Sequence, residues 1–251
     1  MRKSKQKQKS PTKKNPRRQF SEHLGELRAR ILWCLFFFGI ATALVYPFYS
    51  HLLAWLIKPL HQPVYYTSPT GGLSLIIQVC LFFGFLLAVP AFVFHLYRFI
   101  EPIMPKTSKK LTISIVAASF CLTCCGVTMA YFVSLPAALS FLQTFNSNQV
   151  SALITANEYF SFVTHYLLGF GILFQLPLVL LLWNYISPLK SKTLMNYSRY
   201  VIVLSAIVAA VLTPTPDPVN QAIMAIPIII LYYLSIFIIW QVNNKTKKES
   251  A

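Results

Sequence analysis

The sequence predicts an all-α membrane protein of six transmembrane helices, and three observations carry that prediction. Of its 251 residues, 56% are hydrophobic and 11% charged, with a mean hydropathy of +0.58. A soluble domain of this length could not bury so much apolar surface. The apolar residues gather into six runs, at about 31–49, 73–97, 111–132, 159–183, 200–212 and 219–240, most of them near the ~20 residues a helix needs to cross a bilayer core. Half of the 22 Lys and Arg precede Ile31, and all the rest except Lys58 fall on alternate connections or the C-terminal tail. That is a positive-inside pattern, and it predicts cytoplasmic termini and an even number of spans.

Charge placement excludes a tempting function. A net charge of +16 suggests nucleic acid, but such binding needs the basic residues together on a folded polar surface, and here they sit between apolar spans. Residues 1–19 read as a disordered, basic cytoplasmic tail that hugs anionic lipid, 20–241 as the membrane domain, and 242–251 as a second basic tail. The stretch "RRQF" at Arg17 to Phe20 looks like a paired-arginine export signal. No short apolar core with a cleavage site follows it, so it belongs to the tail.

Before the first span, "SEHLGELRARIL" reads as an amphipathic turn. Ser21 is expected to cap a helix beginning at Glu22; Phe20, Leu24, Leu27 and Ile31 form an apolar stripe, while Glu22, Glu26 and Arg30 follow at i, i+4 spacing. Glu22 complements the helix dipole, but Glu26 lies beyond the first turn. Its structural reading is an ion pair with Arg30, and its functional reading is a carboxylate kept at the membrane for a ligand. After the second span, Pro102 and Pro105 predict a helix end at about Glu101, with Arg98 within reach of that acid.

The fourth span carries Gln175 near mid-depth, two residues before Pro177, a pattern that predicts an interhelical hydrogen bond and a kink. The fifth run leaves apolar length for only ~20 Å of helix, so the last two spans are expected to form a short hairpin turning at "TPTPDP", with Asp217 a turn residue. All five cysteines fall within spans, including the "CLTCC" stretch of the third. They are expected to pack as small apolar groups, not to carry redox or metal chemistry.

No cofactor is expected. The five histidines are scattered, no G-x-S-x-G elbow, P-loop or dinucleotide fingerprint occurs, and Asp217 is the only aspartate, which excludes a paired-aspartate intramembrane protease. Two other classes would leave their own marks. A small-solute transporter should show internal repeats and midplane ion ligands, and an intramembrane enzyme a nucleophile with a base; neither signature is evident.

Four segments in order, "SEHLGELRARIL", "YRFIEPIMPKTSKK", "YFSFVTHYLLGFGILFQLPLVLLL" and "LTPTPDPVNQAIMAIP", resemble the TatC family, the multispanning subunit of the twin-arginine protein translocase. The likeness covers about residues 20–240. It implies a glove-like six-helix bundle with a concave face, in the bacterial inner membrane with both termini inside. It further implies a receptor for twin-arginine signal peptides of folded substrates, partnership with the single-span TatA and TatB subunits, self-association, and transport driven by the proton-motive force.

By the same resemblance, Glu26 matches the signal-binding glutamate of "HLGELR", and Phe99 and Pro102 match an "FxxP" frame shaping the site. Where the family has a second glutamate this chain has Ser108, with Glu101 seven residues earlier as the available acid. Gln175 stands where many relatives carry glutamate and is expected to face the concave groove and touch a partner helix. Pro59 matches the proline of the first outer loop, and Asp217 the hairpin acid.

Overall fold

In the computed structural model, which describes residues 16–60, 62–101, 109–143, 154–212 and 218–249, the apolar runs are helices throughout. In chain order these are α1 (Pro16–Val45), α2 (Tyr49–Ile57), α3 (Gly71–Ile100), α4 (Lys109–Met129), α5 (Leu135–Gln143), α6 (Ala156–Leu173), α7 (Leu176–Ile186), α8 (Ser191–Leu212) and α9 (Pro218–Glu249). They compose six membrane-length spans: α1 with α2, α3 alone, α4 with α5, α6 with α7, α8, and α9.

Two helix starts differ from expectation. Helix α1 begins at Pro16, so Ser21 lies inside it and does not cap it. Proline at a first helical position loses no bond, because that N–H has no intrahelical partner anyway. Helix α8 begins at Ser191, nine residues before the apolar run. Only its last 13 residues are the short apolar part, and the polar turns before them complete a longer rod.

The breaks within spans are set by proline. Pro47 lies in the tight turn Tyr46–Phe48 between α1 and α2. Pro136 cannot donate to the carbonyl four residues back; just before it the helix widens, with the Leu135 N–H reaching the carbonyl of Ala130, five residues back, over the π-turn Ala130–Ser134. Pro177 likewise leaves Leu173 without its usual donor, and the fourth span breaks at Phe174 and Gln175 between α6 and α7.

Helices α3, α4 and α6 pack on one another around Val79, Phe82, Ala130, Phe160, Leu167 and Phe170, all buried. Gly126 makes the α4–α6 approach possible: a Cβ there would lie 2.8 Å from Phe174 Cγ and 2.9 Å from the Phe170 carbonyl oxygen. The end of α2 is pinned onto this core. Tyrosine hydroxyls reach two of its last carbonyls, Tyr131 donating to Trp55 O, which also accepts the Lys58 N–H, and Tyr159 to Leu56 O, both at 2.7 Å. The Tyr131 ring also stacks on Trp55, centroids 3.7 Å apart.

Helix α1 leans on α3. They meet where a Cβ on Gly84 would fall 2.8 Å from Thr42 Cα, while Ile31, Leu35 and Leu44 face outward. On the other flank α9 lies against α7 and α8, tied by Tyr232 Oη to Leu194 O at 2.7 Å and Gln221 Nε2 to Ala206 O at 2.8 Å. Asn184 and Asn243 join α7 to α9 at 2.9 Å, and Asn184 Oδ1 accepts the Leu189 N–H of the following turn.

The cysteines divide. Cys80 is buried and Cys34 half-buried, but Cys121, Cys124 and Cys125 are exposed on α4. Helix α4 turns the face with this trio outward, where small apolar side chains are equally at home in lipid.

Candidate functional site

The polar residues singled out from the sequence gather at two levels. At the end of the bundle that carries the N-terminus, Arg30 bends back one turn of α1, and its Nε and Nη2 both donate to Glu26 Oε1, the Nε at 3.2 Å. Its third nitrogen reaches across to α3, donating to the His95 carbonyl at 3.4 Å. The pair is half-buried, with side-chain exposures of 20% for Arg30 and 38% for Glu26. A carboxylate is thus held at the membrane boundary by a cation that is itself braced on the neighbouring helix.

Glu101 ends α3, six residues beyond His95, or ~9 Å along the helix. It accepts from Arg98 Nη1 at 2.7 Å, an i, i+3 pair more open than the first. The packing of α1 on α3 therefore brings Glu26, Arg30, Arg98 and Glu101 to one end of one helix pair. Phe99, half-buried, lies in the same last turn of α3. Pro102 and Ser108 lie outside the described residues, as does Asp217.

At mid-depth, the Gln175 amide bridges the α6–α7 break to α4. Its Nε2 donates to Ser119 O at 3.0 Å and to Thr123 Oγ1 at 2.7 Å, and Thr123 in turn donates to Ser119 O at 2.9 Å. A carboxylate at this position would have no proton for either acceptor, whereas the carboxamide supplies both bonds. Pro59 is half-buried in the turn Lys58–Leu60, at the opposite end of the bundle from Glu26.

One arrangement was not anticipated from the sequence. Between α1, α3 and α6 runs an open groove of about 430 Å³, lined by Phe38, Phe82 and Leu168 together with Ser74, Gln78, Thr164 and His165. Gln175 is not among its lining residues. The available signal was the polar pair Thr164 and His165 inside an otherwise apolar run.

Comparison with known proteins agrees with the fold and with the order of these motifs. Residues 22–227 match the family described as TatC, Sec-independent protein translocase protein. The Sec-independent protein translocase protein TatC of Aquifex aeolicus is 31% identical over 236 residues, covering 91% of this chain and 97% of that protein. That of Desulforapulum autotrophicum is 32% identical over 223 residues, covering 86% and 82%. The crystal structure of the twin arginine translocase receptor TatC superimposes with a TM-score of 0.76 at 31% identity, over 88% of this chain and 99% of that one. The crystal structure of the twin arginine translocase receptor TatC in DDM gives 0.77 at 31% identity, over 86% of this chain and 98% of that one. With six apolar spans, the Glu26 motif at the start of the first, and matches over nearly the whole chain, this protein belongs to the TatC family of multi-pass protein-translocase components, which are not enzymes.

Proposed function

We propose that this chain is the signal-receiving subunit of a twin-arginine translocase, with Glu26 the carboxylate that takes the arginine pair of a signal peptide. The single observation that supports this most is the Glu26–Arg30 pair at the boundary end of α1. An incoming guanidinium that takes the carboxylate through two parallel N–H bonds competes with Arg30 for it. Lysine, a point charge without that fork, competes poorly. Arg30 then moves over to the His95 carbonyl it already touches.

Glu101 supplies the second negative charge, released from Arg98, and Phe99 and Pro102 shape the wall beside it. Ser108 adds a hydroxyl where the family has an acid. The apolar part of the signal lies along the concave face beside α1. Gln175 reaches a partner helix only by giving up Ser119 and Thr123, and Pro59 and Asp217 are contacts at the far end. On this reading the basic end, with both termini, faces the cytoplasm of a bacterial inner membrane. The partners are TatA, TatB and further copies of the chain, and the proton-motive force drives transport of the folded substrate.

Photo-crosslinkers placed at positions 26, 101 and 108 test the assignment with a twin-arginine signal peptide. Adducts at 26 and 101 are expected, and their loss when the peptide carries Lys-Lys. Adducts that ignore the arginines would overturn it.

A further inference from the structure

The end of the bundle that carries Glu26 and Glu101 also carries cations that no acid neutralises. Each of those glutamates is paired with an arginine of its own helix, and no acidic residue lies between Glu158 and Asp217. Within that acid-free stretch, the polar turns that open α8 hold Lys192, Asn196 and Arg199, all exposed. At 3.6 residues per turn these three and Val203 fall within about 60° of arc, with Lys192 and Arg199 ~10 Å apart along the axis. One outward stripe of α8 therefore presents two cations and a carboxamide, then the exposed apolar side chains of Val203 and Ile207.

The stripe is held outward by the opposite side of the same turns, which is fixed to α9. There Leu194 is buried, and its carbonyl accepts the Tyr232 hydroxyl at 2.7 Å. Arg199 Nη2 donates to Tyr200 Oη at 3.0 Å, and its Cζ lies 4.8 Å from that ring's centroid, a cation–π contact that lays the guanidinium on the helix surface. Among the described residues Lys192 and Asn196 have no side-chain partner, and Arg199 meets no carboxylate.

Depth fixes the kind of ligand. The apolar run of α8 begins at Tyr200, so Lys192 to Arg199 stand in the headgroup layer while Val203 and Ile207 enter the hydrocarbon core. Tyr197 and Tyr200, 55% and 56% exposed, mark the same level, because tyrosine rings favour a membrane–water interface.

We propose that the Lys192–Asn196–Arg199 stripe is a binding site for an anionic phospholipid, its phosphodiester taken by the Arg199 fork and the Asn196 amide with the Lys192 ammonium on the outer side, and its acyl chains lying along Val203 and Ile207. Arginine meets a phosphate through two parallel N–H bonds. A zwitterionic lipid is the poorer ligand, since its ammonium would face two cations and no carboxylate. The site rests on the chain spanning the membrane and not on Glu26 reading arginines, so either can fail alone.

The test places the full-length chain in phosphatidylcholine nanodiscs that contain a minor fraction of photoactivatable phosphatidylglycerol or, in a parallel sample, photoactivatable phosphatidylcholine. Adducts mapped by peptide mass spectrometry to residues 191–207 should favour phosphatidylglycerol about fivefold or more. Arg199→Gln should cut that preference severalfold and the double substitution Lys192→Gln with Arg199→Gln should erase it, while Arg199→Lys, which keeps the charge but not the fork, should recover part. Adducts on the outward face of α1, residues 31–44, supply the baseline and should not change in any variant. A preference at α8 no greater than at α1, or one that survives the double substitution, overturns the proposal. So does its loss on adding inorganic phosphate at constant ionic strength, which would make the ligand a free anion.

Discussion

Helix α6 and helix α1 are both apolar spans, yet they differ in almost every physical respect. Helix α6 sits inside the bundle, with Phe160, Val163 and Leu167 inaccessible and both ends bonded to neighbours. Helix α1 is a peripheral strut against α3, most of its large side chains facing outward, and its distinctive contacts are an ion pair and one bond to a backbone carbonyl. The difference separates two jobs. The α3–α4–α6 core holds the shape, and on the proposed reading the edge carries polar contacts that a ligand takes over.

Substitutions that act on one region and spare the other sharpen this contrast. The largest stability effect is expected at Gly126, where any side chain collides with the ring of Phe174 and the Phe170 backbone. Gly126→Leu should cost about 1–3 kcal/mol, seen as a lowered thermal midpoint in detergent. Gly84→Leu meets the Thr42 backbone instead. It should part α1 from α3, abolishing signal-peptide binding while the midpoint of the remaining bundle falls less than for Gly126→Leu. A similar fall for both would erase the distinction between core and edge.

Smaller effects follow at single bonds. Tyr159→Phe leaves the Leu56 carbonyl without its hydroxyl donor and should cost about 1 kcal/mol, read as faster proteolysis near α2. Gln175→Leu removes two bonds to α4, but polar contacts between membrane helices average only ~0.6 kcal/mol. Its midpoint should barely move. A loss of export in that variant with stability intact would give Gln175 a role beyond tying α4 to the α6–α7 break.

Much of the architecture was legible in the letters because hydropathy and the alternation of basic connections are one-dimensional signals. The α3 end at Glu101 and the break near Pro177 followed from proline's local effects on the chain, its clash with the preceding residue and its missing N–H, rules that need no neighbours. The start of α8 did not follow, because hydropathy measures the apolar length and is blind to polar turns that continue the same helix. Nor could the facing of Cys121, Cys124 and Cys125 be read. A helix apolar all round has no stripe to mark its buried side. The same limit hid the direction of Gln175 and the groove around His165, which exist only once three helices are placed side by side. At Glu26 the sequence left a structural and a functional reading open, and the structure supplies the first, the Arg30 pair, in a form the second can use.

The most direct test of the central claim, that the edge of the molecule reads the ligand, is the affinity of twin-arginine and twin-lysine signal peptides for the wild-type chain and for Glu26→Gln. Wild type should prefer Arg-Arg by at least tenfold, about 1.4 kcal/mol, and Glu26→Gln, isosteric and uncharged, should lose that preference with its thermal midpoint unchanged. An undiminished preference in Glu26→Gln would contradict the account.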